Sequence, residues 1–398
     1  MTSGPKQPIR ALLVDDDPML LALLGAFLEE RGYAVEEAGD GVQALQSLDG
    51  ASFNLVITDR NMPNMDGLAL CRAIRAHPRE GYVYCIMLTA SDDEKSLVAA
   101  MEAGVDDFLS KPLSPAELGA RLRAAERVLA LEAQMAARNR ELGKAYAQLS
   151  RDLELARSLQ LSQLPSPQDL GGMRCEGMFE ASSFVGGDFY DYFPLGSRFA
   201  GFYLADVSGH GVAAAMLAVA AQHRLRAASQ EVARGLSGPA DLPDAAVRTL
   251  TLFNRRFLQQ SESGLYLTVV FGLLDRETGQ AALVHAGHPL ALLADAGSTT
   301  FQDVGDSSVP VGVLDEPGFV ATSHLLARGS RLVLYSDGIT ECPDAQGRPF
   351  GEQRLRDVLA RERAADPNDA CRAVRERLRE WHGGAFDDDV TLLVVEPG

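Results

Sequence analysis

The sequence predicts two domains of different fold joined by a long helix. The first is an α/β domain on a five-stranded parallel, doubly wound sheet, and the second is an α+β domain of antiparallel sheets flanked by helices. Three observations predict this. Short apolar runs alternate with amphipathic helical stretches over the first part of the chain; a segment rich in Leu, Ala, Glu, Gln and Arg follows; and long alternating or apolar runs separated by turns fill the rest.

In the first part the runs are IRALLV, YAVEEA, FNLVIT, YVYCIML and VDDFLS, which sets a domain at residues 9–125 behind a disordered start at 1–8. Residues 114–165 read as a helical linker, because after Pro115 no proline interrupts it until Pro165. Its second half places Leu142, Tyr146, Leu149, Leu153 and Ala156 at spacings of four and three, a heptad seam that Arg121, Glu132 and Asn139 spoil further back. A weak coiled coil, and a homodimer through it, is the expectation. From 170 to 398 the runs RCEGMFEAS, FAGFYLADV, LYLTVVFGLLD, AALVHAG, RLVLYSDG and VTLLVVE predict antiparallel strands.

With 398 residues, 46% of them hydrophobic, the chain can bury more than one core. No apolar run approaches the roughly 20 residues of a membrane span, and the start lacks a signal-peptide pattern, so a cytoplasmic protein without membrane partners is expected. A formal net charge of −18 repels phosphate backbones and argues against nucleic acid as a partner. The five cysteines lack CxxC spacing, which argues for reduced packing residues rather than a zinc site or disulfide framework.

In a doubly wound sheet, ligands bind beyond the carboxyl ends of the strands. Asp15, Asp16 and Asp17 follow the first run, Asp59 the third, Thr89 the fourth and Lys111 the fifth. Carboxylates gathered on one rim repel one another unless a divalent cation neutralises them, an arrangement suited to phosphoryl transfer onto a carboxylate. Asp17, before Pro18, reads as a helix cap. The whole pattern, TDRNMPNMDG, MLTA and SKP included, resembles the CheY-like response-regulator receiver family, which implies a flavodoxin-like fold. By that resemblance Asp59 is the phosphoacceptor, and Asp15, Asp16 and Asp59 hold Mg2+ with the Asn61 carbonyl. Thr89 and Lys111 contact the phosphoryl group, Phe108 stands where the family often has a switching tyrosine, and a sensor histidine kinase is the partner.

Four acidic motifs recur in the second domain, each beside an apolar run: GGDFYD (186–191), ADVSGHG (205–211), SDG (336–338) and DDDVT (387–391). Glycines beside carboxylates let the backbone approach an ion or phosphate, and hard cations so held activate water at neutral pH. These motifs resemble the PPM/PP2C phosphatases, in the branch of bacterial regulatory phosphatases similar to RsbU and SpoIIE. The resemblance implies a sandwich of two antiparallel sheets flanked by helices, holding two Mn2+ or Mg2+ ions. Asp188 and Asp206 are then the first metal carboxylates, with Asp206 bridging and Val207 adding a carbonyl. Asp337 and Asp388 complete the set, with Asp389 as the second choice beside Asp388.

The implied activity is a metal-dependent Ser/Thr phosphoprotein phosphatase, and the implied substrate is a phosphorylated STAS-type anti-sigma-factor antagonist. His210 reads either as an aid to protonating the leaving oxygen or as structural. His285 and His288 read as hydrogen-bonded loop histidines, and Asp191 as a supporting residue. A phosphatase-like adaptor that binds without catalysis is the alternative, and it would be expected to lack metal aspartates. A DNA-binding output would need a basic helix-turn-helix, which the sequence does not contain.

Overall fold

The computed structural model describes residues 9–77, 81–90, 94–166, 168–209, 211–259 and 264–398. The expected disorder at 1–8 and the readings of His210 lie outside the described residues. The chain separates into two compact units, Met1–Gln148 and Leu149–Gly398.

The first unit alternates strand and helix: β1 (Arg10–Val14), α1 (Pro18–Glu29), β2 (Ala34–Ala38), α2 (Gly41–Gly50), β3 (Leu55–Asp59), α3 (Gly67–Ala76), β4 (Tyr84–Thr89), α4 (Glu94–Glu102), β5 (Asp107–Ser110) and the start of α5 (Pro115–Gln163). The strands pair in parallel in the order β2-β1-β3-β4-β5. Helices cover both faces. Leu13, Ile57 and Ile86 pack with Leu24, Leu28 and Leu122 on one side, and Leu12, Val56 and Cys85 pack with Leu48, Leu70 and Ile74 on the other. Side-chain caps start three of the helices: Asp17 accepts from Met19 N, Asp40 from Val42 N and Gln43 N, and Asp66 from Ala69 N. Each fills orphan amides of a first turn.

α5 runs unbroken for 49 residues. Of the seam residues, Leu142, Tyr146 and Leu149 are exposed, while Leu153 and Ala156 are half-buried.

The second unit comprises β6 (Gln168–Asp169), β7 (Met173–Glu180), β8 (Phe189–Leu195), β9 (Phe199–Val207), α6 (Val212–Ala233), α7 (Leu242–Leu258), β10 (Leu267–Asp275), β11 (Gln280–Ala286), β12 (Ala291–Ala294), β13 (Gln302–Val304), β14 (Ser307–Ser308), β15 (Thr322–Leu325), β16 (Arg331–Tyr335), α8 (Asp337–Thr340), α9 (Glu352–Arg361), α10 (Pro367–His382) and β17 (Val390–Pro397). One sheet runs β14-β11-β10-β9-β8, with β15 also on β11, and the other runs β13-β12-β16-β17-β7-β6. Pairing is antiparallel apart from β14, which lies parallel to β11.

Three apolar layers hold these elements together. Phe253 and Phe257 of α7 and Leu225 of α6 pack under the first sheet. Leu355 of α9 and Leu378 of α10 pack under the second. Between the sheets lie Phe202, Leu204, Val270, Leu334 and Leu393.

Because strand side chains alternate between faces, every second residue of a strand enters the inter-sheet layer. Following those rows outward leads from Phe202 and Leu204 to Asp206, from Tyr192 and Tyr190 to Asp188, from Leu332 and Leu334 to Ser336, and from Val395 and Leu393 to Thr391. The polar rim of the second unit is therefore the end of its own core rows.

Candidate functional sites

In the first unit, Asp59 and Thr89 are the last residues of β3 and β4, Asp15 follows β1, and Lys111 follows β5. All four therefore stand at carboxyl strand ends. Asp15, Asp59 and Thr89 are buried, while Asp16 and Asn61 are exposed beside them. Lys111 Nζ lies 2.6 Å from Asp59 Oδ1 and 3.0 Å from Asp15 Oδ2. Burial works against the ammonium, but the hydrogen bonds it donates to Asp59 and Asp15 outweigh that and hold the Lys111 pKa above its ordinary value. Asn61 N donates to Asp59 Oδ2 at 2.7 Å, and Lys111 N donates to the Thr89 carbonyl at 2.8 Å. Gly67 is required, since a Cβ there would come 2.2 Å from the Asp59 carbonyl. These oxygen donors suit a hard cation such as Mg2+. Phe108 is half-buried, with the Arg121 guanidinium 6.0 Å from its ring centroid.

In the second unit, Asp188 and Asp389 are buried, Asp206 and Asp337 half-buried, and Asp388 exposed. Burial, then the Asp206 and Asp389 charges, drives the Asp188 pKa well above the carboxylate range. Burial and the Asp337 charge push Asp206 up to about 7, although its hydrogen bond with Asp188 opposes the shift. Burial and then Glu341 raise Asp337. Thus Asp206 acts electrostatically with Asp188, Asp337, Asp388 and Asp389, carboxylates that with its own come from four distant stretches. Such a cluster holds protons until a cation replaces them.

The backbone beside it is equally specific. A Cβ on Gly187 would stand 2.8 Å from the Val207 carbonyl, 3.3 Å from the Gly209 carbonyl and 3.4 Å from Asp206 Oδ1. That cradle of hard oxygens fits Mn2+ or Mg2+ in its donor chemistry. Among the described residues, however, no group of three or more His, Cys, Asp or Glu side chains is disposed to hold a metal ion as it stands. Two of the carboxylates are engaged by the protein itself. Asp389 spends its carboxylate on Ser182 N (2.8 Å), Ser182 Oγ (3.1 Å) and Gly187 N (2.6 Å), and Asp188 Oδ2 accepts from Thr391 Oγ1 at 2.5 Å.

Asp191 does not face this cluster. It lies on the other face of β8, where Arg226 of α6 approaches to 3.3 Å; burial, against the pull of Arg226, raises its pKa to about 6. His285 Nε2 accepts from Ala291 N at 3.2 Å, and His288 Nδ1 lies 2.8 Å from Thr268 Oγ1. All five cysteines are free and buried.

Sequence reading assigned no role to Gln160, Ser182, Ser336 or Thr391. Gln160, near the end of α5, grips the acidic loop with both ends of its amide: Nε2 donates to the Gly186 carbonyl at 2.7 Å, and Oε1 accepts from Gly186 N at 3.1 Å. Nearby, Leu159, Val185, Val212 and Met216 line an apolar groove of about 370 Å³. A glutamine amid leucines was the one available signal for this contact. Thr391 was visible only as part of the DDDVT motif.

A doubly wound receiver ahead of a PP2C-type sandwich is the class these two units define, and comparison with known proteins agrees. The response regulator receiver domain family matches residues 11–123, and the stage II sporulation protein E (SpoIIE) family matches residues 197–397, just over half of the chain. The chain belongs to the SpoIIE family and carries a receiver domain in addition. Asp188 precedes the matched SpoIIE range, so its place beside Asp206 is known from the fold.

The chain is 44% identical over 113 residues to the transcriptional regulatory protein GltR of Pseudomonas aeruginosa, covering 28% of this chain and 47% of that protein. It is 41% identical over 115 residues to the DNA-binding response regulator MtrA of Mycolicibacterium smegmatis, covering 29% and 49%. The chain thus spans about half the length of the curated relatives it matches. The SiaA-PP2C domain of Pseudomonas aeruginosa superposes with a TM-score of 0.55 at 20% identity, covering 64% of this chain and 99% of that domain, a likeness of fold. No described helix is long and apolar enough to cross a membrane.

Proposed function

We propose that this chain is a response regulator in which phosphorylation of Asp59 by a sensor histidine kinase controls a metal-dependent Ser/Thr phosphoprotein phosphatase. The observation that carries the reading is the convergence of Asp188, Asp337 and Asp388 on Asp206, which stands beside the Gly187 cradle. Asp15, Asp16, Asp59 and the Asn61 carbonyl hold Mg2+ in the receiver. Asp188, Asp206, the Val207 carbonyl, Asp337 and Asp388, with Asp389 behind them, hold two Mn2+ or Mg2+ ions in the second unit. Bound cations supply an activated water and neutralise the phosphate. The chain's own part is to gather the carboxylates, to keep the Gly186–Asp188 loop in place through Asp389, and to exclude bulk from the cradle with glycine.

Coupling runs through α5, whose amino end continues from the receiver and whose Gln160 grips Gly186. A change of linker register or pairing that moves Gln160 alters the loop that presents Asp188. The exposed Leu142, Tyr146 and Leu149 support a homodimer through this helix. A phosphorylated STAS-type anti-sigma-factor antagonist is the substrate that the family resemblance favours, in a cytoplasmic partner-switching circuit.

The test compares turnover of a phosphoserine protein by the full chain with and without beryllofluoride on Asp59. The expected result is a changed rate that Gln160→Ala uncouples from beryllofluoride. Equal rates, with an unchanged oligomeric state, would sink the coupling. A wild type inactive in both states, yet retaining a phosphoprotein in pull-down, would instead favour the adaptor reading.

A further inference from the structure

The connection from β11 to β12 carries the chain from one sheet of the second unit to the other, and His288 lies within it. Gly287 makes the turn at φ 70°, and a Cβ there would come 2.5 Å from Pro310. The imidazole that follows is 3% exposed. Its Nδ1 meets Thr268 Oγ1 at 2.8 Å, while Nε2 is buried without a hydrogen-bond partner among the described residues. Leaving a buried ring nitrogen unsatisfied costs stability, so an apolar side chain would fill this space better if packing were its whole purpose.

Thr268 supplies a purpose. In the β9–β10 register it stands opposite Asp206. Both residues end rows that face the other sheet, and directly opposed side chains lie about 5 Å apart at Cβ. His288 is therefore bonded to the residue of β10 that stands opposite Asp206 on β9.

We infer that His288 is a positioning residue of the hydrolytic site: its hydrogen bond to Thr268 fixes that hydroxyl beside Asp206. The inference rests on the hydrolase reading given above and adds to it a pair of residues, His288 and Thr268, that carry none of the metal ligands themselves. Groups that hold a ligand in place affect metal affinity and turnover by about 10- to 100-fold.

The experiment measures Mn2+ affinity by titration calorimetry, with kcat and KM on a phosphoserine protein, for the full chain. Thr268→Val keeps the shape and removes the hydroxyl, Thr268→Ser restores it, and His288→Leu removes both ring nitrogens. Thr268→Val and His288→Leu are each expected to weaken Mn2+ binding and kcat about tenfold with KM unchanged, and Thr268→Ser to recover most of the loss. The double variant is expected to lose no more than either single change, because one hydrogen bond is being removed twice. Additive losses, a Thr268→Ser as poor as Thr268→Val, or a Thr268→Val equal to wild type would each overturn the inference. Should His288→Leu fail to fold, the two Thr268 variants decide the matter alone. A wild type that binds no Mn2+ would bring down the hydrolase reading itself, a result distinct from a Thr268→Val that matches an active wild type.

Discussion

Asp206 gives the second unit a pH-dependent stability whose sign and size follow from its surroundings. Burial and the Asp337 charge hold its pKa up to about 7, against an ordinary value of 3.8. Between those limits the folded protein keeps a proton that the unfolded chain has released. The Asp206 contribution to stability is therefore largest at or below about pH 4, falls as pH rises, and levels off above about pH 7. Three pH units at about 1.4 kcal/mol each set an upper value of about 4 kcal/mol for the loss. Because Asp188 and Asp206 share a hydrogen bond, the proton belongs to the pair rather than to either carboxyl.

Urea unfolding of the full chain from pH 4.5 to 8.5, without divalent metal, measures the effect. The single tryptophan, Trp381 in α10, makes fluorescence report on the second unit. Asp206→Asn keeps the shape without the charge, so its advantage over wild type should be about 1 kcal/mol near pH 4.5 and grow to at most about 4 kcal/mol at pH 8. Asp191, raised to about 6, contributes to the slope of both proteins and cancels in the difference. Added Mn2+ should flatten the wild-type fall, because the cation takes the proton's place. Parallel pH slopes for wild type and Asp206→Asn would refute the reasoning.

Two further outcomes follow from the same geometry. Asp389→Ala leaves the buried Gly187 amide and the half-buried Ser182 amide without their acceptor and should cost about 3 kcal/mol in the Trp381-detected urea transition; a cost near zero would mean those amides find other partners. Lys111→Met leaves Asp15 and Asp59 without their cation, so thermal unfolding should show Mg2+ stabilising the variant more than wild type. Equal Mg2+ shifts would contradict the view that Lys111 and Mg2+ neutralise the same two carboxylates.

The receiver was legible because its candidate side chains sit at strand ends, where an apolar run followed by Asp, Thr or Lys fixes the position. Asp15, Asp59, Thr89 and Lys111 all followed that rule. In the second unit the acidic motifs were legible for the same reason, since Asp188, Asp206 and Thr391 continue core rows. The restraints on them were not. Gln160 sits on a helix whose register against Gly186 is a tertiary fact, and the pairing of Thr268 with Asp206 depends on strand register, which no local pattern encodes. Asp389 illustrates the limit: three consecutive aspartates look alike in sequence, yet burial turns one inward to backbone amides and leaves Asp388 at the rim.

The central claim is that carboxylates from distant stretches of the second unit hydrolyse a phosphomonoester with divalent metal. Phosphate release from a phosphoserine protein by the full chain, wild type against Asp337→Ala, with and without Mn2+, tests it most directly. The account predicts release that requires Mn2+ and falls to the buffer level in Asp337→Ala while the Trp381 signal shows an intact fold. Release independent of Mn2+, or undiminished in Asp337→Ala, would contradict it.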